Sequence, residues 1–65
     1  MTFLMPDGFL PKEVKFILQS PQGRREIYSG IHKPNEQVRV NVPRLPASSV
    51  QIYINNVPVE ERQVP

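Results

Sequence analysis

The chain has 65 residues, enough for one small domain, and a domain of this size removes only about 60% of its unfolded surface from water. It contains no cysteine and one histidine, which excludes disulfides and leaves no set of thiol and imidazole ligands for a structural metal. The net charge of +2 comes from eight basic and six acidic residues that are interleaved along the sequence. Such a distribution is more typical of a mixed solvated surface than of a nucleic-acid-binding patch.

The proline positions favour strands over helices. Eight prolines divide the chain, and its two longest proline-free intervals, residues 22–33 and 47–57, alternate with period two. We therefore predict an all-β protein, one domain over residues 1–65, with five to six short antiparallel strands. The predicted strands are residues 2–5, 13–19, 24–32 and 37–42, followed by a C-terminal hairpin over residues 50–61.

Turn signals separate these strands. The clearest is Asn55-Asn56, because asparagine tolerates the positive φ angles of a type I′ hairpin turn. Earlier turns are predicted at residues 6–8, 20–23 and 33–36. The two prolines within residues 43–48 would interrupt a ladder, so we predict a crossover between sheets there, and Pro58 predicts that the last strand lies at an edge.

Short strands at about ten-residue spacing describe a small immunoglobulin-like or fibronectin-like β-sandwich. A small five-stranded barrel is the alternative. In the third strand we predict Ile27 inward and Tyr28 outward, with Gly30 marking a bulge or a close approach of another strand. The predicted inward side chains are Phe3, Val14, Phe16, Leu18, Ile27, Val38, Val40, Val42, Val50, Ile52, Ile54 and Val59.

The sequence lacks a recognisable catalytic motif. His32 has no partners at metal-ligand spacing, so we interpret it as a surface turn residue. Glu60 and Glu61 face opposite sides of a strand and are interpreted, with Arg62, as charges that discourage edge pairing. No glycine-rich phosphate loop is present. We therefore predict no enzymatic activity, no cofactor and no catalytic or metal-binding residue.

A binding surface is the remaining possibility. Two predicted outward tyrosines, Tyr28 and Tyr53, lie near Arg24, Arg25 and Arg39 and could form a stacking platform for sugars or single-stranded nucleic acid. Its predicted binding residues are Tyr28, Tyr53, Arg25 and Arg39. More often, aromatic residues at such positions complete the packing or cover an edge. A small basic barrel that binds single-stranded nucleic acid is therefore kept as the alternative function.

Targeting signals give little further information. Residues 1–6 have neither a basic segment nor a long apolar run, so they are not predicted to form a signal peptide, and no stretch is predicted to insert into a membrane. If the domain is extracellular, its export signal lies on sequence that this chain lacks.

Four stretches of the chain, residues 3–8, 13–18, 23–36 and 50–59, resemble one family in order and spacing. They are similar to the immunoglobulin-like segment that follows the PASTA repeats at the C-terminus of bacterial membrane-spanning serine/threonine protein kinases. That family has a V-P-x-G corner, an x-G-x-R-E-V-Y strand start, an H-x-P-G-E turn and a V-Y-x-D-G-x-x-V hairpin. Here Asn35 replaces the turn glycine, and Asn55-Asn56 replaces Asp-Gly.

The resemblance implies a non-catalytic module excised from a larger receptor kinase, since the kinase domain and the PASTA repeats are absent from this chain. It implies a location at the extracellular face of the bacterial cell membrane, as part of a single-pass membrane protein. The module would act as a terminal cap or as a contact for cell-wall material or another surface protein. No site residue is transferred from the family, because the matching positions are structural.

Overall fold

The computed structural model describes residues 1–64 and contains six β-strands. The strands are β1 (Thr2–Leu4), β2 (Lys12–Ser20), β3 (Gly23–His32), β4 (Gln37–Arg39), β5 (Ser49–Ile54) and β6 (Val57–Gln63). They form two antiparallel sheets, a pair β1-β4 and a four-stranded sheet in the order β3-β2-β5-β6. The prediction of an all-β chain with five to six antiparallel strands is confirmed, and the strands lie in two separate sheets rather than in one closed barrel. Over residues 1–64 the structure has no helix that could cross a membrane.

Three of the four predicted turns have the backbone angles that their residues suggested, whereas at residues 6–8 the chain bends without the positive φ at Gly8 that a left-handed corner requires. Asn55 and Asn56 both have positive φ, 49° and 66°, as a type I′ turn between β5 and β6 requires. Gly23, with φ of 127°, ends the turn from β2 to β3, and Asn35, with φ of 63°, lies in the turn from β3 to β4. The segment 43–48 leads from the two-stranded sheet to the four-stranded one, so the predicted crossover is also confirmed.

The core lies between the two sheets. Phe3 of β1 meets Phe16 of β2 edge to face, with ring centroids 6.2 Å apart and an interplanar angle of 87°. The buried hydrophobic residues are Phe3, Met5, Val14, Phe16, Leu18, Val38, Val40, Val50, Ile52 and Ile54. Nine of these ten were predicted from alternation. Met5 was left out, although alternation within the predicted strand 2–5 places it on the same face as Phe3. It lies just beyond β1, where its backbone N–H donates to the Glu36 carbonyl at 2.8 Å.

A bulge in β3 reverses the faces that period-two alternation predicted. Phe16 is opposite Tyr28 while Ile17 is opposite Glu26, so Ile27 is an extra residue without a partner in the ladder. One extra residue exchanges the two faces of everything beyond it. The outward prediction for Tyr28 is therefore wrong, because its ring packs on Phe16 at 5.9 Å, and Ile31, predicted on the inward face, is 73% exposed.

A second bulge reverses the faces that alternation predicted for the end of β6. Ile52 is opposite Glu60 while Tyr53 is opposite Pro58, which leaves Val59 as the extra residue. Val59 is 49% exposed, so its predicted inward position is wrong. Of the other predicted core residues, Ile27 and Val42 are only partly buried. The strand order places β6 at the edge, as Pro58 predicted.

Two apolar truncations test this core. Met5 is 2% exposed, so we expect Met5→Ala to lower the free energy of unfolding by about 2–5 kcal/mol, through lost burial and a residual cavity. The matched change Val59→Ala, at a half-exposed bulge, is expected to cost within about 0.5 kcal/mol. Urea unfolding followed by circular dichroism measures both. Since Met5→Ala could prevent folding altogether, Met5→Leu, which conserves volume, is included and should cost less than about 1.5 kcal/mol. Similar costs for Met5→Ala and Val59→Ala would contradict the observed arrangement.

Candidate functional site

The structure places the four predicted binding residues on different surfaces. Tyr28 faces the core from β3, whereas Tyr53 lies on the opposite, outer face of the four-stranded sheet. Arg25 is opposite Leu18, on the core-facing side of the sheet edge, and Arg39 lies on the exposed side of β4 opposite Thr2. These residues therefore do not form one continuous platform.

A different group of side chains surrounds Tyr53. Arg24 Nη2 donates to the Tyr53 hydroxyl and to Gln51 Oε1, each at 3.0 Å. Gln51 in turn donates through Nε2 to Glu61 Oε1 at 3.2 Å. We call Arg24, Gln51, Tyr53 and Glu61 the outer-face network. It connects β3, β5 and β6 and passes over β2.

The strand register explains why these residues meet. Gln51 is opposite Ile17 of β2 and Glu61 of β6, and opposed residues of antiparallel strands share a face. Arg24 precedes the bulge at Ile27, so it keeps the outward orientation, and its long side chain reaches across β2. Since β1 and β4 pack on the other side, no strand of residues 1–64 covers this face.

Cationic groups flank the aromatic ring of this network. Lys15 is directly opposite Tyr53 on β2, and its ammonium group donates to Asn56 Oδ1 at 3.3 Å and lies 3.8 Å from Glu13. An aromatic ring, an amide and two cations thus lie on a rigid sheet. Such a face can stack on a flat ligand and form hydrogen bonds with its polar groups.

Sequence reasoning missed most of this network. It identified Tyr53 and placed Arg24 among the arginines near it, but it selected Arg25 and Arg39 as the binding residues and did not identify Gln51 or Glu61. The alternation of β5 already placed Gln51 beside Tyr53 on the outward face, and that signal could have identified it. Alternation also placed Arg24 on the outward face, but its contact with Tyr53 across β2 depends on the strand order of the sheet.

A second polar cluster lies at the end of β3. The Tyr28 hydroxyl is 2.5 Å from His32 Nε2, and the two rings stack at 5.8 Å with an interplanar angle of 29°. His32 Nδ1 pairs with Glu36, whose other carboxylate oxygen accepts from the Lys33 backbone N–H at 3.1 Å. A neutral imidazole that donates from Nδ1 and accepts at Nε2 satisfies both contacts. We call Tyr28, His32 and Glu36 the histidine relay.

The relay corrects the interpretation of His32 as a surface residue, since its side chain is only 14% exposed. Gly30 makes the room for it. A Cβ at this glycine would lie 2.6 Å from the Tyr28 hydroxyl oxygen and 3.2 Å from His32 Nε2. The close approach at Gly30 is therefore made by two side chains of its own strand and not by another strand, and the bulge lies at Ile27, so neither sequence prediction for Gly30 is confirmed.

Two carboxylates stabilise the same end of the molecule. The hydrogen bond with His32, and then that from the Lys33 backbone, lower the pKa of Glu36. The hydrogen bond from the Asn35 side chain, and then that from the Gly8 backbone, lower the pKa of Asp7. Asn35 Nδ2 donates to Asp7 Oδ1 at 3.0 Å, which joins the β1–β2 connection to the β3–β4 turn. Both carboxylates therefore stabilise the β3–β4 turn through hydrogen bonds. Within residues 1–64 no group of three or more histidine, aspartate or glutamate side chains could hold a metal ion.

The close approach at Gly30 predicts a coupled pair of substitutions. We expect Gly30→Ala to lower the free energy of unfolding by about 1–3 kcal/mol, because the new methyl group would displace the tyrosine hydroxyl. In a Tyr28→Phe background the nearest atom is removed, so the cost of Gly30→Ala should be smaller by about 0.5 kcal/mol or more. A double-mutant cycle in urea measures this coupling. Additive effects would contradict the contact.

The lowered pKa values predict a dependence of stability on pH. A carboxyl whose pKa is lower in the folded chain stabilises the fold above its ordinary pKa, and that stabilisation disappears as the pH falls through the lowered value. The ordinary values are 4.5 for Glu36 and 3.8 for Asp7, so wild-type stability should decline below about pH 4.5. The Asp7→Asn/Glu36→Gln variant should show a shallower decline in its urea midpoint. Glu26→Gln, which changes an exposed carboxylate of β3, is the control, and equal slopes in all three proteins would refute the assignment.

Comparisons of the chain with protein-family models, with curated proteins and with solved structures gave no match. The resemblance to the terminal segment of the PASTA kinases thus rests on the sequence motifs, and it stays a prediction. The geometry of the outer-face network and of the histidine relay is independent of that resemblance.

Proposed function

We propose that the chain is a non-catalytic, immunoglobulin-like binding module from the extracellular C-terminus of a PASTA-type serine/threonine protein kinase. Its role is to contact cell-wall material, or another surface protein, at the outer face of the bacterial membrane. The observation that carries this proposal is the uncovered face of the four-stranded sheet, with Tyr53 held in the outer-face network.

The backbone at the turns supports the resemblance. The family has glycine at the position of Asn35 and Asp-Gly at the positions of Asn55-Asn56. All three asparagines have positive φ here, between 49° and 66°. Glycine is the residue that most readily adopts such angles, and asparagine is among the few others that do. The three asparagines therefore have the backbone conformation that favours glycine, the residue found at two of these positions in the family.

The arrangement of the sheets supports the immunoglobulin-like assignment. Chain connections pass between the two sheets three times, from β1 to β2, from β3 to β4 and from β4 to β5. Two packed antiparallel sheets with crossing connections are typical of small sandwiches of this class.

The outer-face network suits a polar ligand with flat apolar surfaces, such as a saccharide. Tyr53 is partly buried, and Arg24 holds its hydroxyl at 3.0 Å, so little side-chain freedom remains to be lost on binding. The guanidinium of Arg24 and the amide of Gln51 lie beside the ring and are suited to hydroxyl and amide partners. This preorganisation is the reason to prefer this face over the scattered set of Tyr28, Arg25 and Arg39.

Retention on purified peptidoglycan tests the proposal. We expect Tyr53→Ala to reduce the retained fraction by about tenfold, since stacking of an aromatic side chain contributes about 1–3 kcal/mol in comparable sites. Tyr53→Phe should retain most of the binding, because the ring remains. Phe9→Ala, which removes a fully exposed aromatic side chain from the connection between β1 and β2, is the matched control and should bind as the wild type does.

Two results would contradict the proposal. Retention of Tyr53→Ala equal to wild type would exclude the outer-face network as the contact. Retention of single-stranded DNA that falls steeply with salt, with no retention on peptidoglycan, would favour the nucleic-acid alternative instead.

A further inference from the structure

An open cleft lies at the turn between β2 and β3, where Arg24 of the outer-face network forms part of its lining. Its volume is about 270 Å³. Leu18 and Leu45 form its apolar side, and the rest of its lining is Ser20, Gln22, Gly23, Arg24 and Arg25. Ligand pockets for drug-sized molecules span about 300–1,000 Å³, so this cleft suits a smaller group.

Arg25 gives the cleft its charge. It is opposite Leu18 on the core-facing side of β3, and it forms no ion pair with any residue among 1–64. The neighbouring Arg24 uses its guanidinium on the outer face, with Gln51 and Tyr53. Arg25 therefore keeps its hydrogen-bond donors for an external partner, and a planar guanidinium matches a carboxylate best.

The cleft adjoins an open sheet edge. β3 is an outermost strand of the four-stranded sheet, so one side of its backbone has no partner strand. The opposite edge, β6, is protected differently: Pro58 lacks an N–H, a bulge interrupts the strand, and the Glu60–Arg62 ion pair lies on its core-facing side. In β3 the stretch from Gly23 to Glu26, before the bulge, contains no proline, no bulge and no ion pair. Its core-facing charge, Arg25, opposes pairing with a neutral strand but is neutralised by a partner that carries a carboxylate.

We propose that this cleft binds the C-terminus of an extended peptide. The peptide backbone pairs with the free edge of β3 near Gly23, its terminal carboxylate pairs with Arg25, and its small apolar last side chain lies against Leu18 and Leu45. Edge pairing supplies affinity, and the cleft supplies selectivity for a free C-terminus. This site adjoins the outer-face network at Arg24, but its proposed contacts are made by Arg25, Leu18, Leu45 and the β3 edge, so it does not depend on the proposed function.

The test is an NMR titration of the isotope-labelled chain with two probes, acetyl-Val-Ala-Ala as the free acid and the same peptide as its C-terminal amide. We expect the free acid to shift the backbone amide signals of Gly23, Arg25 and Leu45, and to bind at least about tenfold more tightly than the amide, the range of a lost charge-assisted hydrogen bond. Arg25→Ala should abolish this preference for the acid. Arg25→Lys, which keeps the charge but not the planar fork, should retain part of it.

Lys33→Ala, which removes a cation at the other end of β3, is the control and should bind as the wild type does. The amide probe needs no substitution, so the outcome does not depend on the stability of a variant. Equal affinity for acid and amide, shifts confined to the outer face, or no shift at millimolar peptide would each overturn the proposal. Because the readout is at Arg25 and not at Tyr53, failure here leaves the peptidoglycan result unaffected.

Discussion

The packing of Phe16 between the two sheets is the contact on which the rest of the structure depends. Its ring meets Phe3 of the two-stranded sheet at 6.2 Å and Tyr28 of β3 at 5.9 Å, both edge to face. Tyr28 then stacks on His32, and His32 pairs with Glu36 in the turn that leads to β4. One buried ring therefore connects the core to the turn that joins the sheets. In a chain of 65 residues without disulfides, such shared contacts replace a larger core.

The two bulges decide which side chains the protein presents to solvent. The bulge at Ile27 turns Tyr28 inward but leaves Arg24 outward, where it reaches Tyr53. The bulge at Val59 turns Glu60 and Arg62 toward the core side, where Arg62 donates to the Thr2 carbonyl and lies 5.9 Å from the Phe3 ring centroid. The β-bulges thus place polar side chains together on the outer face and bring Arg62 of the edge strand β6 into contact with β1 of the other sheet.

The two edge strands of the four-stranded sheet, β3 and β6, differ in how well they are protected from pairing with another strand. The β3 edge and the outer face of the sheet are therefore suited to different ligands. β6 has a proline, a bulge and charges on its core-facing side, which are the features that prevent edge pairing. The first residues of β3 contain neither a proline nor a bulge, and their core-facing charge, Arg25, lines a cleft and has no ion-pair partner among residues 1–64. The face of the sheet offers stacking and hydrogen bonds, whereas this edge offers backbone pairing and a charge. The two surfaces can therefore serve different ligands.

The sequence by itself determined the strand class, the turns and most of the core. Alternation, proline spacing and the Asn55-Asn56 pair are local signals, and they predicted the all-β class, the type I′ turn, the edge position of β6 and nine of the ten buried hydrophobic residues. Tertiary structure alone decided the faces of β3 and β6, because a bulge depends on how the partner strand pairs and leaves no period-two signature. It also decided the partners of Tyr53 and the burial of His32. The partners of Tyr53 come from strands far apart in the sequence, and the burial of His32 depends on the space beside Gly30. Residue spacing in the sequence predicts neither.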